Sequence, residues 1–132
     1  MPFEEIPHTA DRSLRVWSAS LPQLFSEAAQ GMNTLMGMRL ASGPRTNRSL
    51  HITGLDPETL LVNFLSELLF ISEQDKLAFD EFKLEMTGDR LEAEMSGALV
   101  LSIEKIIKAV TFHNLHIRQT PQGYEVEIVF DV

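Results

Sequence analysis

Cysteine does not occur anywhere in the 132-residue chain, which excludes disulfides, thiolate ligands and the soft zinc or iron–sulfur sites that depend on them. Any metal would have to be held by oxygen or imidazole. Basic residues are also scarce. With 11 Lys and Arg against 19 Asp and Glu, the net charge is −8, and a phosphate backbone, which attracts Lys and Arg, repels such a surface. Strong direct nucleic-acid binding is therefore not expected, and if RNA enters the function a basic partner touches it. No apolar run approaches the roughly 20 residues of a membrane span. Met1 to Asp11 carries acidic side chains and no Lys or Arg ahead of an apolar run, so it does not read as a secretory signal, and the expectation is a cytoplasmic protein. Internal repeats, charge blocks and low-complexity tracts are missing too.

What is present suffices for one domain. Hydrophobic residues make up 44% of the chain, and a chain of this size buries roughly 70% of its unfolded surface. Leu21, Leu24, Phe25, Ala28, Met32, Leu35 and Met36 recur at helical spacing, with Ser20 and Gln23 as an S-x-x-Q capping box before them and Gly37 as a left-handed stop after them. A second helix opens with Asp56 as N-cap and Pro57 at its first position. It buries Leu61, Phe64, Leu65, Leu68 and Ile71, and its greater hydrophobicity predicts the deeper position. Elsewhere the period is two. Phe82, Leu84 and Met86 alternate with charged or polar residues, Gly88-Asp89 turns the chain, and Leu91, Ala93 and Met95 alternate on the way back, which predicts a hairpin. Tyr124, Val126, Ile128 and Phe130 share one face of a final strand, whose expected partner is Val110 to Arg118 across a turn at Pro121-Gln122-Gly123. Shorter strands are expected at Ser13 to Ser18 and Arg48 to Thr53, and a long loop at Ala41 to Asn47. Two main helices among six or so strands, without βαβ alternation, predict a single-domain α+β fold with a mixed, largely antiparallel sheet.

The residues able to carry chemistry fall in four places: His8-Thr9-Ala10-Asp11, the second helix, Lys108 to His113, and Phe130-Asp131-Val132. Each has an ordinary structural explanation. An Asp before a strand commonly makes an Asx turn with its own backbone, a terminal Asp on an outward face is commonly solvated, and a Lys after Ile106-Ile107 commonly snorkels from a core strand. His8 and His113 read most simply as structural histidines. Asp131, however, stands beside the carboxylate of Val132 on an ordered strand, and two carboxylates that close need a cation or a proton between them. In a regular strand Lys108 and His113 face opposite sides, so a shared site requires a bend. Asp56 is fully explained by capping, and Arg39, Arg45 and Arg48 by solvation. The phosphate-binding G-x-x-x-x-G-K-[ST] loop, the G-x-S-x-G elbow and H-E-x-x-H are all absent.

Four segments in order resemble the archease family. Glu5 to Asp11 is similar to its E-x-x-H-T-A-D opening, Asp56 to Phe70 to its D-x-E-x-L-L-V-x-F/W-L-N-E-L-L-Y helix, Lys108 to His113 to K-A-V-T-Y-H, and Val129 to Val132 to its V-F-D-hydrophobic ending. The likeness spans nearly the whole chain. Arg12, Ser66, Phe70 and Phe112 depart from the pattern without removing a carboxylate, the Lys or a His. Arg12 stands as a candidate charge partner for Asp11.

The resemblance implies a non-catalytic accessory protein of an RtcB-type RNA ligase. Such ligases join RNA ends in tRNA splicing and RNA repair, and archeases promote their guanylylation and multiple turnover. It further implies a divalent metal at Asp11 and Asp131 with the Val132 carboxylate as a third ligand, and Lys108, His8 and His113 as partner or phosphate contacts. Oxygen ligands favour a hard ion, Ca²⁺ first and Mg²⁺ or Mn²⁺ next. Two other readings stand beside it. One is a metal-dependent hydrolase, since carboxylates, Lys and His around a metal can activate water. The other is a chaperone-like specificity factor for an RNA methyltransferase.

Overall fold

The computed structural model describes residues 2–6 and 11–132. Among them the chain runs β1 (Phe3–Ile6), β2 (Arg12–Ser18), α1 (Leu21–Leu35), β3 (Arg39–Leu40), β4 (Thr46–Thr53), α2 (Pro57–Asp75), β5 (Leu77–Thr87), β6 (Arg90–Ser102), β7 (Ala109–Val110), β8 (Arg118–Thr120) and β9 (Gly123–Asp131). The fold is α+β, and every described strand pair is antiparallel. The strands divide between two sheets where the sequence led us to expect one. The first has the order β1-β2-β9-β7 with β8 also on β9; the second has β3-β6-β4 with β5 also on β6.

Local signals place the helices. The Ser20 hydroxyl accepts the Gln23 N–H, and Gly37 takes φ +62° just past α1, where a side chain would be strained. Asp56 Oδ1 accepts the Thr59 N–H at 2.7 Å, with Pro57 opening α2. Lys76, at φ +56°, closes that helix in the left-handed conformation usually left to glycine or asparagine. The expected depth order does not hold. Leu24, Phe25 and Ala28 of α1 are as fully buried as Leu61, Phe64 and Leu65 of α2, because each helix contacts strands of both sheets.

Phe64 stacks on Phe25 at 6.2 Å between ring centres and meets Phe82 edge-on at 6.1 Å, which ties α1, α2 and the second sheet into one core. Leu14, Val16, Val126, Ile128 and Phe130 add the inner face of the first sheet. The hairpin forms as its alternation requires, with β5 and β6 joined at Gly88-Asp89.

Two expectations need correction. The loop at Ala41 to Asn47 is shorter, since β4 already begins at Thr46. The partner of β9 is not a continuous Val110–Arg118 strand. Only Ala109–Val110 and Arg118–Thr120 pair with β9, while β2 pairs along Arg12–Ser18 on the other side. The intervening segment turns at Asn114, at φ +53°, and is tied down separately: Thr111 Oγ1 donates to the Val129 carbonyl, and the Ile117 N–H donates to Glu58 at the start of α2.

Candidate metal and partner site

β9 lies between β2 and β7, and the ends of these three strands collect the carboxylates. Arg12 pairs with Phe130 in the last described pair of β2 and β9, and Asp11 and Asp131 each lie one residue beyond it, at the same end of the sheet. On the other side of β9, Ala109 pairs with Asp131, and the Lys108 N–H donates to the Asp131 carbonyl at 2.7 Å. Asp131, Val132 and Lys108 are exposed, and Asp11 is half-buried.

The other sequence-singled residues distribute unevenly. His113 lies past the Thr111–Val129 contact, away from the strand end. Its N–H donates to Thr111 Oγ1, and its ring faces Asn114 Nδ2 at 3.3 Å. The chain leaves β7 at Val110 and turns at Asn114, beyond His113, and no hydrogen bond or ion pair links Lys108 and His113 among the described residues. His8 falls outside the described residues, with Thr9 and Ala10 of the same motif. Arg12 pairs with Glu5 at 2.6 Å, so its described ion pair is with β1. Arg45 pairs with Asp80 and Arg48 with Asp75, which gives these two loop-proximal arginines structural partners. Asp56 is a cap as expected, and its bonds from Thr59 hold the carboxyl below its ordinary 3.8.

Sequence reasoning missed the role of Glu58. Its carboxylate receives the Ile117 N–H at 2.8 Å and lies 3.7 Å from His116 Nδ1, anchoring the segment that follows β7. Its only sequence signal was an acid in the first turn of a helix, which dipole arguments already account for.

Two carboxylates at one end of a sheet would suit a hard cation. Among the described residues no group of three or more His, Cys, Asp or Glu could enclose one, so further ligands would come from backbone oxygen or water.

The sequence model of the archease protein family matches residues 3–132. The chain belongs to the archease family. Relatives in the family include archease from Methanosarcina acetivorans, 33% identical over 98% of this chain and 95% of that protein. Archease from Thermococcus gammatolerans is 32% identical over 92% of this chain and 91% of its own length. The solution structure of Methanobacterium thermoautotrophicum protein 1598 superposes with a TM-score of 0.74 at 25% identity and covers 99% of both chains. A Thermotoga maritima crystal structure, described as an archease and possible chaperone, shares the fold at TM-score 0.72 and 20% identity, covering 98% of this chain and 96% of its own. Among the described residues of this archease-family chain, no helix is long and apolar enough to cross a membrane.

Proposed function

We propose that this chain is an accessory protein of an RtcB-type RNA ligase, that it promotes guanylylation and repeated turnover of that ligase, and that it is not itself an enzyme. Family membership supports the partner class. The observation that supports the mechanism is the Arg12–Phe130 pair at the end of β2 and β9, one residue short of Asp11 and of Asp131. In this reading Asp11, Asp131 and the Val132 carboxylate hold a divalent ion, calcium first and magnesium or manganese next. The ion supplies positive charge and open coordination positions at the protein's rim. Lys108, whose backbone is bonded to Asp131, offers its ammonium to a phosphate or to the ligase beside that rim. His8 and His113 are further candidates for partner contact. An acidic surface with a carboxylate-held cation complements the basic, phosphate-binding mouth of a ligase, and such complementarity governs encounter and register. The chain itself is repelled by RNA, so the RNA contact belongs to the ligase.

The test is single-turnover labelling of the cognate ligase with GTP, with and without this protein. The parent should stimulate labelling, and Asp11→Ala with Asp131→Ala should remove most of the stimulation while the fold persists. Full stimulation by the double variant would overturn the metal-site mechanism. No stimulation by the parent would overturn the function. Calcium or manganese calorimetry on a variant extended beyond Val132 tests the third ligand: affinity falls if its carboxylate binds, and unchanged affinity removes it from the site.

A further inference from the structure

An apolar groove of about 400 Å³ opens between the C-terminal half of α2 and the segment that follows β6. Met36, Leu69, Val100, Ile103, Ile106 and Ile107 supply its apolar lining. Ile106 is 74% exposed and Ile103 36% exposed. The walls are held by the backbone. Val100 N–H donates to the Lys76 carbonyl, Glu104 and Lys105 N–H both donate to the Met36 carbonyl, and Lys108 N–H donates to the Asp131 carbonyl. The groove is therefore preformed, and the N–H groups of Val100, Glu104, Lys105 and Lys108 are already engaged. A strand adding itself to this wall would find those donors taken. A helix presenting side chains at i, i+3 and i+4 needs no such donors.

The charge around the groove differs from that of the rest of the molecule. Lys76 and Lys108 line it and Lys105 lies on its wall segment, three of the four lysines in the chain. Among the described residues the ion pairs of Arg12, Arg15, Arg45, Arg48 and Arg118 leave every lysine out. Glu73 and Glu104 lie on the same stretch, Asp131 lies beside Lys108, and Asp75, which precedes Lys76, is paired with Arg48, in a chain of net charge −8.

We propose that this groove docks an acidic amphipathic helix of a partner protein, its apolar stripe on Ile103 and Ile106 and its carboxylates facing Lys76, Lys105 and Lys108. Because Lys108 joins the groove to Asp131, a docked helix holds the partner beside the carboxylate pair. The proposal takes from the ligase reading only the premise that the chain acts through a protein.

The probe is a synthetic helical peptide with leucines at i, i+3, i+4 and i+7 and glutamates elsewhere, titrated into the methyl-labelled full chain. Its controls are a Glu-to-Lys version and a scrambled acidic version without the stripe. The acidic amphipathic peptide should saturably shift the methyls of Ile103, Ile106 and Leu69, and both controls should bind at least about tenfold more weakly. Ile106→Glu, at an exposed position, should abolish binding with the fold intact by circular dichroism. Lys76→Glu with Lys105→Glu should reduce the preference for the acidic peptide. Absence of saturable binding, equal binding of the basic peptide, or shifts mapping elsewhere overturns the proposal. So does a concentration-dependent shift of the same methyls without peptide, which would assign the groove to a second copy of the chain. Ligase stimulation is scored separately, and its absence in the parent overturns the ligase reading without altering the peptide result.

Discussion

The first sheet ties its carboxylates to arginines across its strands, while the second, beside its own Arg45–Asp80 and His51–Glu92 pairs, also sets two glutamates face to face. On the first, Arg15 reaches both Glu4 and Glu125, Arg118 meets Glu125 at 2.7 Å and Arg12 meets Glu5 at 2.6 Å, so opposite charges tie β1, β2, β8 and β9 together. Arg15 also lies 4.9 Å from the centre of the Trp17 ring. On the second, Glu85 faces Glu92 directly across β5 and β6, and only one row away does Lys83 face Glu94. Like charges in facing positions weaken a strand pair. The lesson concerns Asp11 and Asp131. They stand at the end of the well-paired first sheet, and neither enters an ion pair among the described residues.

The comparison can be broken most forcefully at the core that joins the sheets. Phe64→Ala removes the ring between Phe25 and Phe82 and should cost about 3 to 5 kcal/mol in denaturant unfolding, in a single transition. Two separated transitions would mean that the sheets are independent units. Next is Gly97, where an added Cβ would lie 1.8 Å from the Ala78 carbonyl oxygen, beside the register shift of β5. Gly97→Ala should cost roughly 1 to 3 kcal/mol, with hydrogen exchange rising in β5 and β6 before β2 and β9. Equal acceleration in both sheets would show that the strain is shared.

Smaller changes sharpen the charge contrast. Glu85→Lys converts the facing pair with Glu92 into an attractive one and should stabilise by roughly 0.2 to 1 kcal/mol, read as a rise in denaturant midpoint that salt diminishes. The Asp56 cap gives a pH signature. Its folded carboxyl titrates below 3.8 because Thr59 donates to it, so its contribution is complete above that value and is lost as pH falls through the lower folded one. Asp56→Asn should lack that acid-side loss in a pH series of melting curves, and an identical slope in parent and variant would remove the cap from the account. The smallest effect is expected where function is proposed. Asp11→Ala and Asp131→Ala should each stay within about 1 kcal/mol of the parent without metal. Calcium should raise the melting temperature of the parent and not of the double variant.

Much of this architecture was legible in the chain because its signals are local. Ser20, Gly37, Asp56 and Pro57 mark helix ends through bonds and torsions within a few residues, and the Leu91-Ala93-Met95 alternation reports its own half-buried face. The division into two sheets was not legible, nor was β2 as the long neighbour of β9. The short strand Phe3–Ile6 carries two glutamates; it pairs with β2 through its backbone and packs Phe3 on the core, while Arg12 and Arg15 reach back to the glutamates.

The candidate site divides along the same line. Asp11, Lys108 and Asp131 were named from motif resemblance, but Asp11 lies 97 residues from Lys108 and 120 from Asp131, separations that say nothing of proximity, and only the register of β2, β9 and β7 brings them to one end of the sheet. The groove was invisible for a related reason. Ile103 and Ile106 read as ordinary apolar residues, and their exposure depends on how the Met36 and Lys76 carbonyls hold that segment beside α2. Sequence alone determined the helices, their caps, the hairpin and the acidic balance, because hydrogen bonds and torsions between near neighbours decide those. Tertiary structure decided which strands pair, which carboxylates face each other and which apolar side chains remain in water, because those follow from burying several apolar faces at once.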